Sequence, residues 1–108
     1  MGKKNVWGSK VGRDAASLDT ALCRWLGKRL MHLSTHTTGV PVAFINENQK
    51  LDEDHQAAVW RSMMLVQAEN LLAYGNLYES EPEEADFVVA RGREAMHWVA
   101  KWLPHLWN

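Results

Sequence analysis

A chain of 108 residues fits one domain, and its single cysteine, Cys23, excludes both an intramolecular disulfide and a thiolate-cluster zinc site. No apolar run approaches the roughly eighteen residues that a membrane span needs, so a cytoplasmic protein without membrane association is expected. The formal net charge of −1 hides a separation, with seven Lys or Arg against two acids in residues 1–39 and two against ten in residues 40–86; such polarity steers a polyanion to one end or lets two subunits pair head to tail.

Residues 1–12 are basic, contain glycine and lack periodicity, which predicts a flexible arm carrying Trp7 as one aromatic anchor. The arm has no apolar stretch behind it, so a secretory signal is not expected there. Val6 stands where myristoylation of Gly2 requires Ser or Thr. A first helix is expected from a cap at Asp14 or Ser17 to about His36. At about 100° per residue, Ala15, Leu18, Leu22, Leu26 and Leu33 share its core face, flanked by Trp25 and Leu30, with Arg13, Arg24 and Lys28 opposite. Gly39 and Pro41 end it. Val40–Ile45 has strand-like composition but contains proline and has no partner segment, which predicts an extended connector. A lone strand open to another chain is the alternative.

Asp52 is the expected cap of a second helix running to about Tyr78. Val59, Met63, Val66, Ala73 and Leu77 form one stripe on it, and Trp60, Met64, Leu71, Tyr74 and Tyr78 a second. A helix apolar on so many sides is the central one of a bundle. Leu65 and Leu72, set among polar residues, are candidates for an oligomer or partner surface. Ser80-Glu81-Pro82-Glu83 reads as a capping box opening a third helix. Its stripe is Ala85, Val89, Gly92, Met96, Val99 and Leu103, with Gly92 allowing close approach of a neighbouring helix. The fold class that follows is all-α, a compact bundle of three to four helices with a short extended connector, with residues 13–108 as a single helical domain.

Six tryptophans are more than so short a core needs, so some are expected to face a partner. Phe87, Arg91, Glu94 and Trp98 fall together on one flank of the third helix, bordered by Trp102, Leu106 and Trp107. Arginine and aromatics clustered this way dominate interface energetics; packing against the first helix inside the same monomer is the competing explanation. The function expected is that of a non-catalytic interaction or regulatory protein, or a small subunit of a complex, with a protein partner or a second copy. The alternative is a nucleic-acid accessory protein in which Lys3, Lys4, Lys10, Arg13, Arg24 and Lys28 neutralise phosphates and Trp7 stacks on a base. The acidic middle of the chain opposes that alternative, and no nucleic-acid fingerprint is present.

His32 and His36 have the four-residue spacing of a shared metal. Arg29 one turn earlier disfavours a second cation there, and no metal or other cofactor is expected. The acids Glu79, Glu81, Glu83, Glu84 and Asp86 suit a solvated helix start better than a catalytic pair. Ser9 completes neither a nucleophile elbow nor a phosphate loop, and no enzyme activity is expected.

Overall fold

The structure, a computed structural model, describes residues 6–107. It is all-helical, with α1 (Lys10–Ala16), α2 (Leu18–His36), α3 (Val42–Glu47), α4 (Glu53–Gly75), α5 (Leu77–Ser80), α6 (Ala85–Trp102) and a closing 3-10 turn at Leu103–His105; no strand occurs among the described residues. Three long helices carry the architecture, as expected. Three short ones were not anticipated.

Helix α1 starts where the Ser9 hydroxyl accepts the amide N–H of Gly12, 3.0 Å away. The end of the expected arm, Lys10–Gly12, is therefore helical, and residues 1–5 of that arm lie outside the described residues. Ser17 departs from helical geometry and divides α1 from α2. The connector is the clearest correction: Val42–Glu47 forms α3 rather than extended chain. Pro41 sits at its N-cap, where a missing N–H costs nothing. Burial of Phe44 against the aromatic core then outweighs the β-like composition. Asn48 closes the helix by donating from Nδ2 to the Phe44 carbonyl oxygen at 2.8 Å.

Asp52 caps α4 as expected, its carboxylate accepting from the His55 amide at 2.8 Å. The helix stops at Gly75, short of Tyr78, and α5 follows as a separate turn. Glu81 ends α5 in the left-handed region, at φ 44°. This places the start of α6 at Ala85, beyond the capping box expected at Ser80. A side chain at positive φ is strained relative to glycine, so Glu81→Gly is expected to stabilise the fold by about 0.5–1 kcal/mol in urea unfolding.

Helix α4 is central, packing against α2, α3 and α6. Arg24 meets Gly75, and Gly27 lies against Ala68 and Leu72, so α2 runs antiparallel to α4. Gly92 lies against Tyr74 and Trp98 and Trp102 against Trp60, so α6 is antiparallel to α4 as well. Both outer helices pack on α4 far more than on each other. The molecule measures 62 × 36 × 20 Å with a radius of gyration of 16.9 Å, against about 13 Å for a compact domain of this length. It is an open layer of three long helices rather than a closed, compact bundle.

The buried faces differ from the expected stripes. On α2 they are Leu30 and the small residues Thr20, Cys23, Gly27 and Ser34, which let α4 approach closely. Leu18 and Leu22 are instead exposed, and Leu26 and Leu33 are half-buried. On α6 the buried residues are Gly92, Ala95, Val99 and Trp102. Met96 and Val89 are half-buried, and Leu103 is exposed. On α4 the second stripe is the core one, with Trp60, Met64 and Leu71 enclosed.

Aromatic rings close one end of the layer. Trp60 lies 5.2 Å from Phe44, 5.6 Å from Trp98 and 5.3 Å from Trp102, in tilted or edge-on arrangements that aromatic quadrupoles favour. The indole N–H of Trp98 is enclosed there without an acceptor, which offsets part of the burial by about 1–3 kcal/mol.

Candidate partner groove

The exposed apolar residues of α2 are ordered. Leu18, Leu22 and Trp25, at i, i+4 and i+7, form one helix stripe, and they are 61%, 41% and 52% exposed. Val11, seven residues before Leu18 on α1, is exposed as well. The Arg29 guanidinium lies 4.1 Å above the Trp25 ring and extends the stripe by one turn. Single exposed leucines need no explanation, but a stripe along one helix face is an unsatisfied packing surface.

Leu22 also forms one wall of a groove between α2 and α6, about 250 Å³ in volume. Cys23 stands beside it, Tyr74 and Gly92 form the floor, and Met96 lines the opposite wall with Arg93 and His97. The groove exists because α2 and α6 are held apart by α4. Its floor is tight: a Cβ on Gly92 would come within 2.6 Å of the Tyr74 ring. The close approach expected at Gly92 is thus to the C-terminal end of α4.

One polar pair closes the groove at the α2 N-terminal end. The Tyr74 hydroxyl donates to Asp19 Oδ2 at 2.8 Å, and Asp19 Oδ1 accepts from the Thr20 amide at 2.8 Å. The Tyr74 bond, followed by the Thr20 bond, lowers the Asp19 carboxyl pKa. The same bond to Asp19, reinforced by desolvation, pushes the Tyr74 phenol up to about 12. Stability from the Asp19 side is therefore present above the ordinary carboxylate range and lost as pH falls through its lowered pKa. Stability from the Tyr74 side is present below about pH 10 and lost as pH rises through about 12. Absorbance titration at alkaline pH is expected to show one tyrosine ionising near 12, and Asp19→Asn to return it toward the ordinary value. Burial, and secondarily Asp19, raise the Cys23 thiol pKa, so it stays protonated and is a poor nucleophile.

The residues expected to form an aromatic partner patch on α6 are divided by the structure. Trp102 is buried at 4% exposure and Trp98 packs against the same core. They meet Trp60 and Phe44, which is the competing intramolecular packing, but on α3 and α4 rather than on α2. Leu106 is half-buried against that core. Phe87, Arg91 and Glu94 stay outside, joined by an Arg91–Phe87 stacking contact at 4.9 Å and an Arg91–Glu94 ion pair at 3.0 Å. Trp107 is exposed at the far end of the chain. Leu65 and Leu72 are half-buried, and Leu72 covers Gly27.

The basic set is largely engaged within its own chain. Arg24 donates to the Gly75 carbonyl at 2.8 Å and reaches Glu79 at 3.5 Å. Arg13 donates to the Gly8 carbonyl, and Lys10 lies 3.8 Å from Asp14. Trp7 and Lys28 are exposed, and Lys3 and Lys4 lie outside the described residues. The His32 and His36 rings stack at 4.0 Å, and His36 Nδ1 faces the His32 carbonyl oxygen at 2.8 Å. No group of three potential metal ligands occurs among the described residues.

Nothing in the sequence marked the groove itself. Its wall residues were legible as stripes, but as core: Leu22 on α2 and Met96 on α6 both belong to faces expected to be enclosed. No helix is long and apolar enough to cross a membrane among the described residues. Comparison of the chain with protein-family models, curated proteins and solved structures finds no match.

Proposed function

We propose that the protein is a non-catalytic interaction protein whose α2–α6 groove receives an amphipathic helix of a protein partner. The observation that carries this is Leu22, exposed on the wall of a groove between two helices that scarcely pack on each other and continuous along α2 with the exposed Leu18 and Trp25. A helix laid there completes a four-helix bundle and covers apolar residues in the manner of helix-in-groove recognition. Trp25 with Arg29 supplies the residue types that act as interface anchors. Arg93 and His97 at the opposite rim set the helix register more than its affinity.

The absence of a catalytic role is part of the same proposal. The shifted titrating groups around the groove are explained by one tyrosine–carboxylate hydrogen bond and by thiol burial, neither of which activates a nucleophile. The nucleic-acid alternative loses support because Arg24, Arg13 and Lys10 already have partners in the chain.

Photo-crosslinking tests this directly. A benzoylphenylalanine placed at Leu22 or Met96 is expected to capture one protein of discrete mass from native lysate, through a helical segment of that protein. The same probe at Lys50, an exposed residue away from the groove, is expected to capture none. Capture at Lys50 equal to that at Leu22, or capture of nucleic acid alone, would overturn the proposal.

A further inference from the structure

A second concavity lies at the other end of α2, independent of the groove. The extended segment Thr37–Pro41, between α2 and α3, forms one wall, and His105 and Trp107 of the C-terminal tail line it too. The cleft is about 430 Å³ in volume, within the range of small-molecule sites. We propose that this cleft binds a small, neutral, aromatic molecule.

Three features specify that class. First, among the described residues the lining contains no Asp, Glu, Lys or Arg. A charged ligand would be desolvated there without a counter-ion, which disfavours it strongly. Second, the aromatic surfaces are on both the inside and the rim. The Trp60 indole, almost wholly buried, contributes to the lining, while Val42 and Trp107 are 70% and 73% exposed. A flat ring system stacks on the exposed Trp107 indole, reaches the Trp60 edge at the base and removes Val42 and Trp107 from water together. Third, the few polar side chains are neutral hydroxyls and an imidazole: Thr37 and Thr38 on the linker, His105 on the tail. They suit one hydroxyl or carbonyl on the ligand.

The site is also held in shape. Trp60 packs on Trp102 at 5.3 Å, and Trp102 on His105 at 5.8 Å, so lining residues from α4 and the tail belong to one chain of rings. The base of the cleft is thus preorganised, and the ligand has mainly the exposed Trp107 left to order. Gly39 supplies a clean way to fill the space. A Cβ there meets nothing within 4 Å, and its φ lies outside the left-handed region.

The test is an amide NMR titration of the full chain with 2-naphthol, neutral at pH 7, and with 2-naphthalenesulfonate. The expected result is saturation by 2-naphthol below about 1 mM, with shifts confined to Thr38, Gly39, Val42 and the Trp107 indole. The sulfonate is expected to bind at least about tenfold more weakly. Gly39→Phe is expected to weaken 2-naphthol at least about tenfold with an unchanged melting temperature. Should Gly39→Phe fail to fold, Trp107→Ala, at an exposed position, is expected to show the same loss. Failure of 2-naphthol to saturate, equal binding of the sulfonate, or binding untouched by the folded variant would overturn the proposal. So would shifts centred on Leu22 and Met96. Sedimentation showing a wild-type dimer that Gly39→Phe converts to monomer would also overturn it, by assigning the cleft to a second copy.

Discussion

Trp60→Ala is expected to destabilise the protein by about 3–5 kcal/mol, read as a lower urea midpoint and melting temperature. The ring is 2% exposed and touches Phe44, Trp98 and Trp102. These rings tie α3 and α6 to α4, so truncation opens a cavity where three helices meet. In a domain whose total stability is about 5–15 kcal/mol, that is a large share. Trp107→Ala removes the same side chain from an exposed position and is expected to change stability by less than about 0.5 kcal/mol. Equal losses in the two variants would mean that the aromatic end of the layer is not built around Trp60.

Gly75→Leu is expected to cost about 2–3 kcal/mol through overpacking, at the α2–α4 contact. A Cβ at this position would lie 2.9 Å from the Arg24 backbone nitrogen. Backbone cannot swing aside as a side chain can, so α2 has to move away from α4. That movement also threatens the 2.8 Å bond from Arg24 to the Gly75 carbonyl. Gly39→Ala, placed in open space, is the comparison and is expected to be near neutral or slightly stabilising. Chemical denaturation of both variants checks the contrast, and a Gly75→Leu protein as stable as wild type would refute the close helix contact.

The helical class, the central position of α4 and its Asp52 cap were all readable from the chain, because each rests on composition or on a local signal. The orientation of the outer helices was not. Apolar periodicity weights leucine heavily, and on α2 it points to Leu18, Leu22 and Leu26. The contact with α4 is made instead by Thr20, Cys23, Gly27 and Ser34, whose value is their small size. Small residues permit close packing but carry little hydrophobic signal, so a pattern of side-chain hydropathy misplaces the face. On α6 the stripes through Met96 and through Trp102 share Gly92 and Val99. Only the aromatic cluster on α4 decides in favour of Trp102.

The tryptophans divide in the same way. Trp60, Trp98 and Trp102 are core, while Trp7, Trp25 and Trp107 are exposed. Of the tryptophans expected on a partner surface, Trp107 is exposed while Trp98 and Trp102 pack in the core, and Trp25, which periodicity places beside the core, is exposed. For α3, proline at a helix N-cap and proline in an extended connector look alike in sequence. The burial of Phe44 separates them only in three dimensions.

The most direct test of the groove is calorimetric titration of the partner captured at Leu22 into wild type, Leu22→Glu and Phe87→Glu. Leu22 and Phe87 are both partly exposed large apolar residues, one on the groove wall and one on the outer flank of α6. A buried glutamate in the groove is expected to weaken binding by at least about 30-fold, the cost of an interface anchor. Phe87→Glu is expected to bind as wild type, and both variants to melt within a few degrees of it. Unaltered affinity in Leu22→Glu, or a loss confined to Phe87→Glu, would contradict the groove as the docking surface.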